Sequence, residues 1–246
     1  MKISENTILI TGGTSGIGLA FAERFFNLGN KIIICGRREE RLSQIKEKHP
    51  AIVTKKCDIA DVKQRTELSN WAIKNFPELN VLINNAGIQL LADLTKPVDM
   101  NRINAEVETN LIAPIHLSSL FSEHLAANPE SAIINISSGL GFAPIAIMPV
   151  YCATKAAIHS LTMSLRHQLK NTSVKVFEII PPGVDTELGS DRRTDKTISH
   201  GGMPIAEFID EAIKVIKEDT FEAAVGMAIG LHAKREELFN MMNDRL

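Results

Sequence analysis

Cysteine is scarce in this chain, and its positions exclude a disulfide framework and a thiolate metal centre. The 246 residues include three cysteines, Cys35, Cys57 and Cys152, which lie far apart and form no C-x-x-C pattern. Such cysteines are typical of buried thiols in a reducing compartment. The histidines show no metal-ligand spacing either, so we predict no metal site. They are His49, His116, His124, His159, His167, His200 and His232.

Neither sign of charge dominates, and no apolar run is long. Lysine and arginine together number 27 against 29 aspartates and glutamates, a formal net charge of −2. This balance provides no basic stripe for nucleic acid and no polybasic patch for an anionic membrane. No run approaches the roughly 18 apolar residues that a membrane span needs. We expect a soluble cytoplasmic protein that binds neither nucleic acid nor membrane.

The chain has a single tyrosine, and a lysine follows it at helical spacing. Tyr151 and Lys155 are four residues apart, near the start of a helix-patterned run that reaches about Asn171. An ammonium about 4 Å from the phenol oxygen favours the phenolate by roughly 4 kcal/mol at an effective dielectric of about 20, which lowers the pKa of the tyrosine from about 10 towards neutrality. General acids and bases work best in that range. The alternative is a surface tyrosine with a lysine beside it by chance.

A glycine turn joins the first predicted strand to the first helix. The apolar run 7–11 leads into Gly12-Gly13-Thr14-Ser15-Gly16-Ile17-Gly18, and apolar residues then recur at helical spacing until Gly29. This order predicts a dinucleotide site, in which the backbone approaches a pyrophosphate and the helix N-terminus meets its charge. The alternative is an ordinary tight turn.

Two arginines follow the second strand where an acidic residue is common. The strand, residues 31–35, ends in Gly36-Arg37-Arg38, and no acidic residue comes before Glu39. In a site selective for NAD, an acidic side chain about 20 positions beyond the glycine turn receives the ribose hydroxyls. A guanidinium instead binds a 2′-phosphate. We therefore predict that NADP(H) is preferred and NAD(H) possible. The alternative is that both arginines only open the charged helix that extends to Lys48.

Two further apolar strands end in polar motifs. Residues 81–83 lead into Asn84-Asn85-Ala86-Gly87, and residues 133–136 lead into Ser137-Ser138-Gly139. The asparagine amides are expected to tie neighbouring strand ends together. Ser138 followed by Tyr-x-x-x-Lys, the spacing T-G-x-x-x-G-x-G and the N-N-A-G motif resemble the short-chain dehydrogenase/reductase family. The resemblance implies a doubly wound Rossmann-type α/β fold, with a mostly parallel seven-stranded sheet and helices on both faces, in one domain over residues 1–246.

The resemblance also implies a reaction, the interconversion of a carbonyl and a secondary alcohol in a small-molecule substrate by NADP(H)-dependent hydride transfer. Tyr151 exchanges the proton, Ser138 positions the oxygen, and Lys155 lowers the tyrosine pKa and holds the nicotinamide ribose. The implied cofactor-binding residues are Gly12, Thr14, Ser15, Gly16, Ile17, Gly18, Arg37, Asp58, Ile59, Asn85, Ala86, Gly87, Tyr151, Lys155, Val184 and Thr186. A non-catalytic sensor or scaffold with the same fold is the rival interpretation.

Two of the implied roles have structural alternatives. Asn110 precedes Pro114 by four residues, so its carbonyl lacks the usual helical donor. The family implies that this residue holds a water linking the catalytic lysine to solvent, and the alternative is a mere helix kink. Asp58 matches the family position that contacts adenine, and the alternative is capping of the helix that begins near Asp61.

The chain also departs from the family pattern. Pro182 stands where glycine is usual, so the sequence does not predict the path of the loop at Pro181-Pro182-Gly183. This loop and the chain end resemble the bacterial DltE-like short-chain oxidoreductases, a likeness that defines no substrate. Residues 188–217 are expected to form a substrate lid, in the polar stretch 188–203, and a helix. A band of small residues on the Tyr151 helix favours a homodimer or homotetramer. The band comprises Ala153, Ala157, Ser160 and Ser164.

Overall fold

Seven parallel strands form the centre of the protein, in the order β3-β2-β1-β4-β5-β6-β7. The computed structural model describes residues 1–189 and 201–244. The strands are β1 (Thr7–Thr11), β2 (Lys31–Gly36), β3 (Val53–Lys56), β4 (Leu79–Asn84), β5 (Ser131–Ile136), β6 (Val174–Ile180) and β7 (Glu222–Ala224). The predicted Rossmann-type sheet is confirmed, and every strand pairing in it is parallel.

Helices cover both faces of the sheet. They are α1 (Gly16–Asn27), α2 (Glu39–Lys48), α3 (Val62–Asn75), α4 (Met100–Val107), α5 (Ala113–Ala126), α6 (Pro149–Gln168), α7 (Ile205–Lys217), α8 (Ala228–Lys234) and α9 (Phe239–Asn243). Alternate residues of a strand point to opposite faces. Accordingly Ile8 and Ile10 pack in one core cluster with Phe21 of α1 and Phe208 of α7, while Leu9 packs in the other with residues of α3 and α5.

The strand order reverses between β1 and β4. On one side of β1 the chain continues to β2 and β3, and on the other side lie β4 to β7. A crevice opens at the carboxyl ends of the strands at such a point, and ligands of doubly wound sheets bind there. The fold therefore places a ligand site after Thr11 and Asn84, the last residues of the two strands.

Two local features differ from the sequence expectations. Residues 52–53 and 57–59 predict a third strand that ends at Ile59, whereas β3 ends at Lys56 and Cys57 to Ile59 lie beyond it. The cap of α3 is Asp61, whose Oδ1 accepts hydrogen bonds from the backbone N–H groups of Lys63 and Gln64. Capping is therefore performed by Asp61 and not by Asp58, which leaves Asp58 available to the crevice. The sequence also predicts a C-terminal helix from about Leu231, whereas in the structure this helix begins at Ala228 and is interrupted after Lys234.

The helical segment around Asn110 contains a π-helical turn, where the sequence left a helix kink as the alternative. Residues Glu108–Ile112 form a π-helical turn between α4 and α5, and Pro114 follows within the first turn of α5. Single π turns insert one residue into a helix and are frequent at functional sites. Asn110 therefore lies at an irregular point of the backbone.

The expected lid lies largely outside the described residues. Residues 190–200 belong to the gap between the two described ranges, and α7 follows at Ile205.

Within the described ranges, no helix combines the length and the apolar character that crossing a membrane requires.

Candidate active site

A cavity of about 1060 Å³ occupies the crevice at the carboxyl ends of the strands. Ser138, Tyr151 and Lys155 line it together with the glycine turn and the end of the N-N-A-G motif. Of the site residues predicted from the sequence, only Gly18 and Asn110 do not contribute to its wall. Residues separated by more than 170 positions are thus brought to one site, since Gly12 and Thr186 both line it.

The glycines of the turn are required by close approach of the backbone. Gly12 has φ +66°, and a Cβ on it would lie 2.8 Å from the Cα of Ala86. A Cβ on Gly18 would lie 2.4 Å from Nδ2 of Asn85. The first turn of α1 contains no acidic residue, so nothing there competes with an anionic ligand for the helix N-terminus. An ordinary tight turn would not require glycine at these two positions, which are crowded by Ala86 and Asn85 from another segment.

The N-N-A-G motif ties the ends of three strands together. The hydroxyl oxygen of Thr11 accepts hydrogen bonds from the N–H groups of Asn85 and Ala86 at 3.0 and 3.1 Å. Nδ2 of Asn85 donates to the carbonyl of Thr11 at 2.9 Å. One strand further, Nδ2 of Asn84 donates to Oδ1 of Asn135 at 2.9 Å. These bonds fix the cavity floor, as expected from the sequence.

Tyr151 and Lys155 lie on the same face of α6 and are almost completely buried. Their relative exposures are 5% each, and that of Ser138 is 7%. Nζ of Lys155 is 5.8 Å from the centroid of the Tyr151 ring and donates a hydrogen bond to the carbonyl of Ile136 at 2.8 Å. Burial lowers the pKa of Lys155 to about 8, and the negative charge of Glu178 acts in the opposite direction. The lysine is therefore mostly protonated at neutral pH.

The serine is positioned by a short turn that packs against α6. Oγ of Ser138 accepts a hydrogen bond from the N–H of Leu140 at 3.2 Å, which caps the 3-10 turn Gly139–Gly141. A Cβ on Gly141 would lie 2.8 Å from the backbone carbonyl carbon of Lys155. Only glycine permits this approach, which brings the end of β5 against the helix of Tyr151 and Lys155.

Asn110 is held rigidly behind the lysine. Its Oδ1 accepts from the N–H of Ile88 at 2.9 Å, and its Nδ2 donates to the carbonyl of Ile88 at 2.9 Å and to Oγ1 of Thr154 at 3.2 Å. A Cβ on Gly87 would lie 3.4 Å from Oδ1 of Asn110 and 3.7 Å from Nζ of Lys155. The asparagine and the lysine are thus close neighbours around Gly87.

Comparison with known proteins agrees with this geometry. The family model for short chain dehydrogenases matches residues 6–197. The chain belongs to the short-chain dehydrogenase family. The "Uncharacterized oxidoreductase DltE" of Bacillus subtilis (strain 168) is 47% identical over 248 residues, which cover 99% of this chain and 98% of the relative. The expected likeness to DltE-like oxidoreductases is confirmed.

Two further comparisons concern proteins with a stated cofactor. The "NADP-dependent 3-hydroxy acid dehydrogenase YdfG" of Salmonella typhi is 30% identical, over 84% of this chain and 86% of the relative. The crystal structure of a short chain dehydrogenase from Burkholderia cenocepacia J2315 in complex with NADP has a TM-score of 0.82 and 26% identity, and the match covers 95% of this chain and 94% of that one.

In this short-chain dehydrogenase the two arginines after β2 have different surroundings. Nη2 of Arg38 donates to Oγ of Ser15 at 2.7 Å and to Oγ1 of Thr14 at 3.3 Å, so its guanidinium lies on the glycine turn. Arg37 is more exposed, and its Nη1 is 4.0 Å from Oδ2 of Asp58. The sequence shows both arginines but not which one reaches the turn, so Arg38 was missed as a candidate binding residue.

A carboxylate that the sequence analysis also missed lies beside these arginines. Glu187 accepts from Nη1 of Arg38 at 3.2 Å and from Nη1 of Arg41 at 2.7 and 2.8 Å. All three side chains are at least a third exposed, and exposed ion pairs are typically worth only about 0.2–1 kcal/mol. An anionic ligand can therefore rearrange this cluster at little cost.

The loop whose path the sequence does not predict is anchored at both ends. The carbonyl of Pro181 accepts from the N–H of Gly139 at 2.9 Å. Beyond the second proline, Val184 forms a parallel bridge with Met203, where the N–H of Met203 donates to the carbonyl of Gly183 at 2.8 Å. This path places Thr186 opposite Gly16 of the glycine turn, where a Cβ on the glycine would lie 3.4 Å from the threonine Cβ.

Proposed function

We propose that this protein is an NADP(H)-dependent short-chain oxidoreductase that interconverts a carbonyl group and a secondary alcohol. The observation that carries the proposal is the burial of Ser138, Tyr151 and Lys155 in one cavity with the glycine turn. Burying an ammonium costs free energy, and buried ionisable groups with a shifted pKa are concentrated at functional sites. The phenol beside it is the only tyrosine of the chain.

The residues of the cavity fit a nicotinamide dinucleotide. The crowded glycine turn and the open N-terminus of α1 suit a pyrophosphate, and Asp58 and Ile59 line the part of the wall expected to receive adenine. Val184 and Thr186 would contact the nicotinamide carboxamide, and Lys155 would hold the ribose next to it. When bound, the nicotinamide supplies or accepts the hydride.

The protein's own side chains would handle the proton and the substrate oxygen. Ser138 donates a hydrogen bond that positions the oxygen of the carbonyl or alcohol. Tyr151 gives its proton to that oxygen during reduction and takes the hydroxyl proton during oxidation. The ammonium of Lys155 stabilises the phenolate left after donation. Asn110, next to Lys155, would hold at its main-chain carbonyl the water through which the proton is replaced from solvent.

Cofactor preference is proposed to favour NADP(H), with NAD(H) as a weaker alternative. Arg38 and Arg37 follow β2 at the rim of the cavity, where a 2′-phosphate would lie. Arg38 is already directed onto the turn by Ser15. The relatives described above that carry a stated cofactor are named for NADP.

The substrate end of the cavity is mostly apolar among the described residues. Leucine and isoleucine side chains from four segments contribute to it, and so does the polar Gln89. The apolar side chains are Ile88, Leu90, Leu91, Leu140, Ile147, Leu188 and Leu231. The uncharged sequence 141–149 predicts an apolar wall of the substrate pocket, and of its residues Ile147 lines the cavity, while Phe142 is buried beneath α6 and α8. We propose a carbonyl compound with an apolar substituent as the substrate class.

Two broader properties belong to the same proposal. All three cysteines are free and buried, which supports a reducing compartment and hence the cytoplasm. The small-residue band on α6 supports a homodimer or homotetramer, because Ala153, Ser160 and Ser164 are exposed and Ala157 is half-buried on the isolated chain.

A substrate panel distinguishes an enzyme from a cofactor-binding sensor or scaffold. Ketones, aldehydes and secondary alcohols, including neutral apolar and anionic members, are assayed with NADPH, NADH and their oxidised forms. We expect NADPH-dependent reduction of at least one carbonyl compound, with reversal when the corresponding alcohol and NADP⁺ are supplied. Tight cofactor binding without turnover on any member of the panel would favour the scaffold interpretation.

A further inference from the structure

A cluster of side chains that could bind a metal ion lies outside the active-site cavity. It combines His159 of α6, Glu178 of β6 and Glu222 of β7, which each offer one nitrogen or carboxylate oxygen within 4.8 Å of the other two. His159 follows Lys155 by one helical turn, but it does not line the active-site cavity. The cluster is therefore separate from the residues that would bind cofactor and substrate.

The sheet holds the two carboxylates side by side. Glu178 and Glu222 are register partners on adjacent parallel strands, so their side chains leave the same face of the sheet. Like charges at neighbouring positions of a sheet are destabilising. The side chain of Glu178 is fully buried, which makes an uncompensated charge there more costly still. A cation bound between the two carboxylates would offset both costs.

The buried carboxylate is only partly satisfied by the protein. Oε2 of Glu178 lies 2.8 Å from Nδ1 of His159. Its other oxygen, Oε1, is buried without a hydrogen-bond partner among the described residues. Buried polar atoms nearly always have a partner, and an ordered water or a bound ion is the usual explanation for an exception. The unpartnered oxygen belongs to the residue at the centre of the cluster.

Neighbouring groups orient the other two side chains. Oε1 of Glu222 lies 2.8 Å from Nε2 of His232, a residue of α8. The ring of Phe142 lies between the two histidines, with its centroid 4.6 Å from each imidazole and at a steep angle to both. Outer contacts of this kind restrict the rotation of metal ligands and raise the affinity of a site.

We propose that His159, Glu178 and Glu222 form a binding site for a divalent transition-metal ion of the zinc class. Imidazole and carboxylate suit Zn²⁺, whereas Mg²⁺ prefers oxygen ligands alone. Two carboxylates and one dication are neutral in sum, which removes the repulsion between the glutamates. His232 would act on the ion only through Glu222. Because about 29% of the Glu222 side chain is exposed, an ion can enter and a water can complete the coordination.

Small side-chain movements would complete the site. With bonds of about 2.0 Å, the ligand atoms of a tetrahedral zinc ion lie about 3.3 Å apart. The three ligand atoms here are within 4.8 Å of one another, so no pair of them needs to approach by more than about 1.5 Å. Rotation of the partly exposed Glu222 side chain provides such a shift without movement of the strands.

Zinc binding to the full chain tests the proposal directly. A chromophoric chelator is titrated with Zn²⁺ in the presence of the protein, without substrate or cofactor, so that the result does not depend on the proposed oxidoreductase activity. We expect one tight site per chain, a higher melting temperature with Zn²⁺, and no change with Mg²⁺. Co²⁺ should give a visible absorption spectrum typical of four or five ligands that include imidazole.

Matched variants separate this site from adventitious binding. His159→Gln and Glu222→Gln should each weaken zinc binding by about tenfold or more, in the range known for changes around metal sites. Both side chains are partly exposed, at 16% and 29%, so the fold should persist, which circular dichroism verifies. Glu23→Gln is the control, because Glu23 also lies beside a histidine, His49, at 3.1 Å, but no third ligand-type side chain of the described residues joins them. Absence of a one-to-one site, or equal binding in both variants and the parent, would overturn the proposal.

Discussion

Lys155 lies one helical turn beyond Tyr151, and its ammonium is 5.8 Å from the centroid of the phenol ring. The same ammonium donates to the carbonyl of Ile136, the last residue of β5. Helix α6 thus places the buried ammonium of Lys155 at the end of β5, next to the phenol of Tyr151. This relationship links the fold to the proposed proton transfer and to the proposed binding of the cofactor.

Removal of the phenol oxygen tests the proposed acid. Tyr151→Phe should lower kcat for carbonyl reduction by at least about a hundredfold, as expected for the loss of a general acid. NADPH affinity, measured by fluorescence titration, should stay within a few-fold of the parent, because the ring and its packing remain. Near-normal turnover in the variant would contradict the mechanism, whereas a parallel loss of NADPH binding would indicate a structural effect.

Cofactor affinity should depend on pH through Lys155. Burial lowers the pKa of this lysine to about 8 in the cofactor-free protein, so its ammonium is present below that pH and is lost above it. Charge-assisted hydrogen bonds contribute about 1.5–3 kcal/mol, so NADPH binding should weaken by about tenfold or more as the lysine loses its proton. Fluorescence titrations between pH 7 and pH 10 measure the effect.

The matched variant for that experiment is Lys155→Met, which keeps a long side chain in the buried site. It should bind NADPH weakly at pH 7 and should lack the step near pH 8. A step of equal size in the variant would assign it to another group, such as the cavity-lining Cys57.

The sequence predicts the central strands well because parallel strands covered on both faces are apolar throughout. β1 and β5 are buried at every position, and glycines or polar motifs mark their ends. The edge strand β3 is different. It has one neighbouring strand, its residues are half-buried or exposed, and its sequence is Val-Thr-Lys-Lys, so the sequence predicts an end at Ile59, beyond the actual end at Lys56. A weak hydrophobic signal is the expected property of an exposed edge.

Side-chain partners across the fold were not predictable in the same way. Local motifs identified Ser138, Tyr151 and Lys155, since each has neighbours that mark it in the sequence. The contact of Arg38 with Ser15 joins two different βα turns, and the cluster of His159, Glu178 and Glu222 joins three elements. No linear spacing records such contacts, because they depend on the register of the sheet and on the packing of α6 against it.

Assembly should involve the small-residue band of α6. Its exposed small side chains permit close approach of a second helix, and a two-fold contact brings the same band from both chains together. Light scattering at micromolar concentration should give a mass at least twice the 27.0 kDa of the chain. Ala157→Arg should lower that mass by placing a large cation in the contact. Glu47→Arg on the exposed face of α2 is the control, and a 27.0 kDa parent would contradict the prediction.

Cofactor selection is expected to depend on the arginines after β2. A guanidinium binds a phosphate through two charge-assisted hydrogen bonds and gains little from a bare hydroxyl. We predict that NADP(H) binds more tightly than NAD(H) by about 1.5 to 3 kcal/mol, which corresponds to roughly 10- to 150-fold in Kd. Titration of both cofactors against the parent protein measures this, and equal affinities would contradict it.

Single variants then identify which arginine determines the preference for NADP(H) over NAD(H). The sequence favours Arg37 by its distance from the glycine turn, whereas the structure directs Arg38 onto the turn through Ser15 and pairs it with Glu187. Because Arg38 is already oriented, Arg38→Ala should remove the larger share of the NADPH preference and Arg37→Ala the smaller. An unchanged preference in either variant would exclude that arginine as the selector.

Glu187→Gln is the converse change, because it removes a carboxylate that competes with the 2′-phosphate for the guanidinium of Arg38. NADPH should therefore bind the variant more tightly while NADH is unaffected, and equal gains for both cofactors would mean that Glu187 does not compete at the phosphate position.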